Sequence, residues 1–215
     1  MDLPMHDNLT KVAAEVLHPY FPSDAEIVGY AANELGVVPL LGVFFGVCAV
    51  LFAATYFVAK AVNPKLEKAE LLAIMWFVLS GSIHLCFEGY YAANFANLGS
   101  KQTLLGQMWK EYAYSDSRYL TSDSFVLCME TITATCWGPG CMVVAGLIAL
   151  RHPLRFPLQC IVSVGQVYGD ILYYATCAFD HYTIGVTYSR PEAFYFWFYF
   201  FFMNFIWIVI PGSKY

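Results

Sequence analysis

Long apolar stretches separated by short polar connections are the dominant pattern along the chain. Each is close to or above the about 20 residues that a helix needs to cross a bilayer, and the first and last carry no charged residue. The five stretches run over about residues 37–59, 71–97, 124–150, 156–179 and 193–210. The pattern therefore predicts an all-α membrane protein, with a polar N-terminal segment, 1–36, followed by a bundle of five transmembrane helices within 37–215.

The connections between these stretches indicate how the helices are oriented. The first link, KAVNPKLEKAE, and the third, RHPLR, are short and basic, and short basic links favour the cytoplasmic side of a membrane. With five spans, this predicts a luminal or exoplasmic N-terminus and a cytoplasmic C-terminus. The second connection, residues 98–123, is longer than the two basic links and carries charges of both signs, and we predict a loop there. Residues 1–20 lack the apolar core of a cleavable signal peptide, so we expect insertion to start at the first internal span.

Composition supports a membrane protein and argues against several other classes. The 215 residues are 59% hydrophobic and only 13% charged, whereas soluble domains carry about 25% charged residues. The net charge of −5 and the scattered Lys and Arg residues provide no basic surface for nucleic acid. All seven cysteines lie within apolar stretches and none forms a CxxC pair. We therefore expect buried thiols rather than a disulfide or metal framework.

The second apolar stretch contains a histidine and a carboxylate, His84 and Glu88, in SIHLCFEGYY. A charged side chain at membrane depth costs about 2.5–3.5 kcal/mol, so such residues are usually functional. Four residues apart, the two lie one turn apart on the same helix face, where a proton can pass between them. The alternative is a structural hydrogen bond that locks two helices together.

Two further stretches carry one buried carboxylate each. Glu130 and Thr133 share a helix face in CMETITATCWGP. This predicts a second carboxylate that faces the first pair across a cavity, with an interhelical polar clamp as the alternative. Asp170 lies near the middle of its stretch, one turn after Gln166, and a structural network with nearby tyrosines is the stronger interpretation there.

The last apolar stretch carries Asn204 and Trp207 on one face. Asn204 can orient a buried acid or hydroxyl, and Trp207 can stack over a developing cation, although ordinary packing is the stronger interpretation of a single Trp in an aromatic-rich helix. A metal site needs three or four ligands, and only Glu130 could join His84 and Glu88, so we predict none. The sequence has no dinucleotide-binding, Walker or nucleophile-elbow motif, and no cofactor is expected.

These residues fall within blocks that resemble the emopamil-binding proteins, the sterol Δ8–Δ7 isomerases of the endoplasmic reticulum. The resemblance starts at HPYFP and continues to the fifth apolar stretch. Its most specific blocks, in order, are SIHLCFEGYY, MWKEYAYSDSRYLTSD, CMETITATCWGP, LRFPLQCIVSVGQVYGDILYY and FYFWFYFFFMNFIWIVIPG. The resemblance implies a five-helix membrane bundle of the EXPERA type, with a ligand cavity that opens towards lipid.

The family's functional residues can be transferred to the matching positions. The resemblance implies that His84, Glu88 and Glu130 are catalytic. The substrate-binding positions that it implies are Tyr112, Tyr119, Thr133, Asn204 and Trp207, of which Tyr112 is the weaker candidate. It also implies that the cavity accepts cationic amphiphilic amines, whose ammonium mimics a carbocation and pairs with Glu130. The location that it implies is the endoplasmic reticulum membrane, and we also consider a homodimer.

The predicted activity is a cofactor-independent shift of a sterol ring double bond from C8 to C7. Protonation at C9 would give a carbocation, and deprotonation at C7 would complete the shift. Two alternatives within the same fold remain open, an isomerase of another triterpenoid or terpenoid and a non-catalytic sterol-binding protein. A small transporter or proton channel is a further alternative, but the sequence shows no inverted repeat.

Overall fold

The structure, a computed structural model, describes residues 18–213 and contains only helices and loops within that range. Residues 1–17 and 214–215, which include part of the predicted luminal segment and the predicted C-terminal end, lie outside the described residues. The helices in chain order are α1 (Val37–Val62), α2 (Lys68–Ser100), α3 (Leu104–Tyr112), α4 (Ser124–Ala149), α5 (Arg155–Ile184) and α6 (Phe194–Gly212).

Four of these helices, α1, α2, α4 and α6, are long and apolar enough to cross a membrane. The all-helical, multi-pass character is therefore confirmed. The predicted fourth stretch forms α5, a helix of 30 residues that is not among those four. It is long enough, but its polar residues, which include Arg155, Asp170 and Asp180, lower its hydropathy. A fifth crossing helix stays a prediction.

The prediction of a loop over residues 98–123 is wrong in part, because this connection contains the helix α3 and a short 3₁₀ turn, Ser117–Tyr119. The Thr103 side chain accepts a hydrogen bond from the backbone N–H of Gly106 and caps the start of α3. The helix is amphipathic, and its polar side chains find partners on distant segments. The Gln107 amide oxygen, for example, accepts hydrogen bonds from the backbone N–H groups of Glu34 and Leu35. Such partners are not visible in local sequence.

Close packing of α2 on α4 brings the predicted acid–base residues together. A Cβ atom on Gly81 would lie 3.0 Å from the Cβ of Cys141, and one on Gly138 would lie 2.8 Å from the Leu85 Cγ. Small residues at a helix crossing let two backbones approach closely. Since His84 follows Gly81 by one turn, this crossing sets its side chain against α4.

Two packed clusters of apolar residues lie at opposite ends of the bundle. One joins the C-terminal end of α1, the start of α2 and the second half of α4, and it includes Phe77 and Val144. The other is aromatic and joins α3 and the loop after it to α2, α4 and α5, and it includes Trp109 and Tyr119. The candidate polar residues lie between the two clusters.

A buried ion pair anchors the loop between α3 and α4 to α5. The Arg118 guanidinium donates hydrogen bonds to both carboxylate oxygens of Asp116 and to the Thr176 hydroxyl. It lies between the rings of Tyr173 and Tyr188, at 5.0 and 5.2 Å. Arg118 is 1% exposed and Asp116 fully buried.

We expect Arg118→Met to lower the free energy of unfolding by about 3–5 kcal/mol, because it leaves the Asp116 carboxylate buried without its partner. Thermal unfolding of purified protein in detergent, followed by intrinsic fluorescence, measures the change. The control is Arg151→Met, since Arg151 is 42% exposed in its pair with Glu70 and such exposed pairs contribute little to stability. Equal melting temperatures for the two variants would contradict this role of Arg118.

Candidate active site

Three helices change to π-helical geometry where they pass the candidate site. The π-helical segments are Ile83–Glu88 in α2, Thr133–Trp137 in α4 and Phe194–Phe202 in α6. Such wide turns are rare and occur frequently at functional sites. They re-aim the side chains that follow, and a helical hydrophobicity pattern gives no signal for them.

The predicted pair in α2 is in direct contact. The His84 Nδ1 lies 2.8 and 2.7 Å from the two carboxylate oxygens of Glu88. The imidazole is only 3% exposed, whereas the Glu88 carboxylate is 13% exposed and lines the cavity described below. Of the two groups, Glu88 is therefore the one that a bound molecule reaches more easily.

The second nitrogen of His84 contacts a residue on α5. The Gln166 amide nitrogen lies 3.2 Å from the His84 Nε2 and is buried with it. When this amide donates to Nε2, the neutral imidazole carries its proton on Nδ1 and donates it to Glu88. A flip of the amide would instead offer its oxygen to a protonated His84. Gln166 was predicted as a partner of Asp170, and the structure pairs it with His84.

Glu130 on α4 is buried and held by two hydroxyls. The Tyr119 hydroxyl donates a hydrogen bond of 2.8 Å to one carboxylate oxygen. The Thr133 hydroxyl bonds chiefly to the backbone carbonyl of Glu130, at 2.8 Å, and lies 3.4 Å from the other carboxylate oxygen. The carboxyl also approaches that of Glu88 on α2. The two predicted carboxylates thus face each other across the α2–α4 packing.

The two predicted residues on α6 contact different parts of the site. The Asn204 amide exchanges hydrogen bonds with the Tyr112 hydroxyl, at 2.9 and 3.1 Å, and so orients a hydroxyl rather than a carboxyl. The ring of Trp207 lies 6.4 Å from that of His84, and its indole N–H is buried with no partner among the described residues. Trp207 therefore presents its ring beside the acid–base pair.

All these side chains line one cavity, of about 180 Å³, between the helices. The lining includes all eight residues that the sequence predicted for the site: His84, Glu88, Tyr112, Tyr119, Glu130, Thr133, Asn204 and Trp207. Asp170 also lines it, with one carboxylate oxygen buried and unpaired within the described part of the chain. The walls are otherwise chiefly apolar and aromatic, with Leu40 and Phe44 of α1 among them. Over residues 18–213, no group of three or more His, Cys, Asp or Glu side chains is placed to hold a metal ion.

Glu111 and Tyr199 are among the cavity residues that were missed at the level of sequence. Glu111 of α3 lines the cavity and accepts a hydrogen bond from the Tyr199 hydroxyl of α6. Glu111 lies in the connection predicted as a loop, and Tyr199 lies in a run of aromatic residues without distinguishing spacing. The only sequence signal for Glu111 was its charge, beside that of Lys110, within the block MWKEYAYSDSRYLTSD that resembles the family.

The helices, the cavity and the titratable residues together define a multi-pass membrane protein with a chiefly apolar cavity that contains a few polar groups. Residues 104–213, just over half of the chain, match the family model described as EBP: EXPERA (EXPanded EBP superfamily). The chain is also more than 30% identical to curated proteins over most of its length, as given below. It belongs to the EXPERA family.

Relatives with curated names support this membership. The 3-beta-hydroxysteroid-Delta(8),Delta(7)-isomerase of Rattus norvegicus is 41% identical over 198 residues, 91% of this chain and 84% of that protein. The protein of the same name from Mus musculus is 40% identical over 200 residues, 91% and 84% of the two chains. Protoglabretal synthase of Citrus sinensis is 29% identical over 168 residues, 77% of each chain.

Proposed function

We propose that this protein is a cofactor-independent isomerase that moves a ring double bond of a 3β-hydroxysterol from C8 to C7. The observation that carries the proposal is the cluster of His84, Glu88 and Glu130 in an apolar cavity. Sequence identity to proteins named as isomerases of this type supports the choice of reaction. A chiefly apolar cavity suits an apolar substrate and strengthens the electrostatic interactions within it.

In the proposed mechanism, the Glu88–His84 pair supplies and recovers the proton. A proton adds to C9 of the C8–C9 double bond, and a tertiary carbocation forms at C8. Loss of a proton from C7 to the same pair gives the C7–C8 double bond, so that one proton enters and one leaves. Glu88 faces the cavity, and both nitrogens of His84 are engaged. The geometry therefore favours Glu88 as the group that meets the substrate, with His84 exchanging the proton behind it.

Glu130 serves in this proposal as the anion that stabilises the carbocation. The Tyr119 hydrogen bond fixes one carboxylate oxygen and leaves the group beside the reaction centre. Preorganised charge in a site without water is an effective form of catalysis, because nothing has to reorient as the cation forms. Trp207 offers its π face to the same cation. Thr133 and Asn204 act indirectly, by holding Glu130 and Tyr112.

Gln166 completes the proposed arrangement as a positioning residue. It acts through His84, whose tautomer it selects by donating to Nε2. The chain Gln166–His84–Glu88 resembles the general pattern in which a third group orients the histidine of an acid–base pair.

The predicted cellular setting is part of the same proposal. We propose five membrane crossings with α5 as the fourth, in the endoplasmic reticulum, with the N-terminus luminal and the C-terminus cytoplasmic. The side chains of Arg151 and Arg155 both form ion pairs with Glu70. These contacts support placing the α1–α2 and α4–α5 links on the same side of the membrane. Binding of cationic amphiphilic amines at Glu130 and assembly into a homodimer belong to this proposal as well.

Incubation of a Δ8 sterol with purified protein in D₂O tests the reaction. The acid–base groups exchange with solvent, so the Δ7 product should carry one deuterium at C9, detectable by mass spectrometry and NMR. The same incubation in H₂O gives the unlabelled reference product. Absence of both the Δ7 product and deuterium would overturn the proposal for that substrate.

A second candidate function is isomerisation of another triterpenoid by the same acid–base residues. The observation that favours it is the similarity to protoglabretal synthase over 77% of each chain. Deletion of the gene distinguishes the two candidates. Loss of Δ7 sterols supports the sterol isomerase, whereas a normal sterol profile supports the second candidate.

A further inference from the structure

Glu111, like Asp170, has a carboxyl group that lines the cavity without any part in the proposed proton chemistry. It lies on α3 and is 8% exposed. Burial raises the pKa of this carboxyl, while the Tyr199 hydrogen bond and the charge of Arg190 oppose the rise. A buried carboxyl in an otherwise apolar wall is expensive unless a donor satisfies it.

The hydrogen bonds of Glu111 are incomplete. Its contact with the Tyr199 hydroxyl is 3.3 Å, which is long for a charged acceptor, since such bonds are normally 2.5–2.7 Å. The second carboxylate oxygen has no hydrogen-bond partner within residues 18–213. The carboxyl therefore has room for a further donor from the cavity.

Glu111 lies in a different part of the cavity from the acid–base pair. Its partner Tyr199 and the residue beside His84, Trp207, are both on α6 and eight positions apart. At a rise of 1.5 Å per residue this separation is on the order of 10 Å along the helix. Aromatic rings line this part of the cavity. The ring centroids of Tyr112 and Tyr199 lie 6.1 Å from each other.

A 3β-hydroxysterol has a matching distribution of polarity. Its hydroxyl is on ring A, at one end of the rigid tetracycle, and the reacting double bond lies between rings B and C. Apart from the hydroxyl and the double bond, the sterol is saturated hydrocarbon around the rings. A cavity with acid–base groups in one part and the under-bonded carboxyl of Glu111 in another complements this shape.

We propose that Glu111 receives the 3β-hydroxyl of the substrate, and that Tyr199 orients the carboxyl for it. The substrate O–H donates to the free carboxylate oxygen, and this contact sets the register that brings the double bond to Glu88. The inference rests on the proposed sterol isomerase function and adds a determinant of substrate choice. Glu111 takes no part in proton transfer to the ring.

A substrate–variant cycle tests the assignment. The substrates are a 3β-hydroxy Δ8 sterol and its 3-deoxy counterpart, and the enzymes are the wild type and Glu111→Leu. The wild type should prefer the hydroxylated sterol by about 10- to 100-fold in kcat/KM, the effect of one hydrogen bond to a charged group. Glu111→Leu should lose most of this preference and keep its activity on the deoxy substrate.

The controls distinguish the possible failures. Glu111→Gln, whose amide still accepts a hydrogen bond, should retain an intermediate preference, and Glu26→Leu, at an exposed carboxylate, should keep the full one. A wild type that turns over neither sterol would overturn the proposed function itself. A wild type that turns over both equally, or a Leu variant that loses activity equally on both, would overturn the assignment of Glu111 alone.

Discussion

Glu88→Gln is expected to lower kcat for double-bond migration by about 10²–10⁴-fold, the range over which general acid–base catalysis contributes. Glutamine keeps the volume of the side chain and can still hydrogen-bond to His84, but it cannot carry a proton to the ring. Conversion of a Δ8 sterol by purified protein at saturating substrate measures the change. The glutamine amide can keep the 2.7 Å contact that Glu88 makes with His84. The substitution therefore tests proton transfer with little change in packing.

The matched control for this variant is Asp170→Asn. Asp170 is another buried carboxyl that lines the same cavity, but it does not contact His84 among the described residues. Its substitution should therefore affect kcat much less. Binding of a tertiary amine should persist in Glu88→Gln, since the proposed partner of the ammonium is Glu130. A Glu88→Gln variant with wild-type kcat would exclude Glu88 from the proton transfer.

Glu130→Gln is expected to reduce two quantities together, kcat by about 10²–10³-fold and the affinity for a tertiary amine by about 10²-fold. In the proposed mechanism both reductions have one cause, since the same buried negative charge would stabilise the ammonium and the C8 carbocation. Steady-state turnover gives the first quantity. Competition with a radiolabelled tertiary amine gives the second.

Comparison of the two variants separates their roles. If Glu88→Gln loses only turnover, Glu88 behaves as a proton carrier. If Glu130→Gln loses both turnover and amine binding, Glu130 behaves as a cation stabiliser. Thr133→Val is the control for Glu130, because the Thr133 hydroxyl bonds chiefly to the backbone, and its effects should be smaller. If Glu130→Gln retained full amine affinity, the cation would have to be stabilised elsewhere in the cavity.

The hydrogen-bond chain around His84 joins three cavity residues. Gln166 contacts the Nε2 of the imidazole and Glu88 contacts its Nδ1, and all three side chains line the cavity. With both nitrogens engaged, the histidine can relay a change of protonation without moving. Glu130 is held by Tyr119 instead, so that the proposed proton carrier and the proposed cation stabiliser have different partners although their carboxyls are neighbours.

The features that follow from local sequence were predictable. The apolar stretches required helices, because a long apolar segment in a bilayer must satisfy its own backbone hydrogen bonds. The spacing of His84 and Glu88 placed the two on one helix face, and they are in contact. Similarity to a known family added the positions that no spacing could indicate, Tyr112 and Tyr119, and both line the cavity.

Only the tertiary structure decided which side chains meet across the bundle. Gln166 was assigned to Asp170 by sequence proximity, yet it reaches His84 at a distance of 82 positions in the chain. Asn204 meets Tyr112 at 92 positions. Glu111 faces the cavity because α3 forms where a loop was expected, and Tyr199 holds it from α6. Helix formation depends on neighbours within one or two turns, whereas these contacts depend on how separate helices pack.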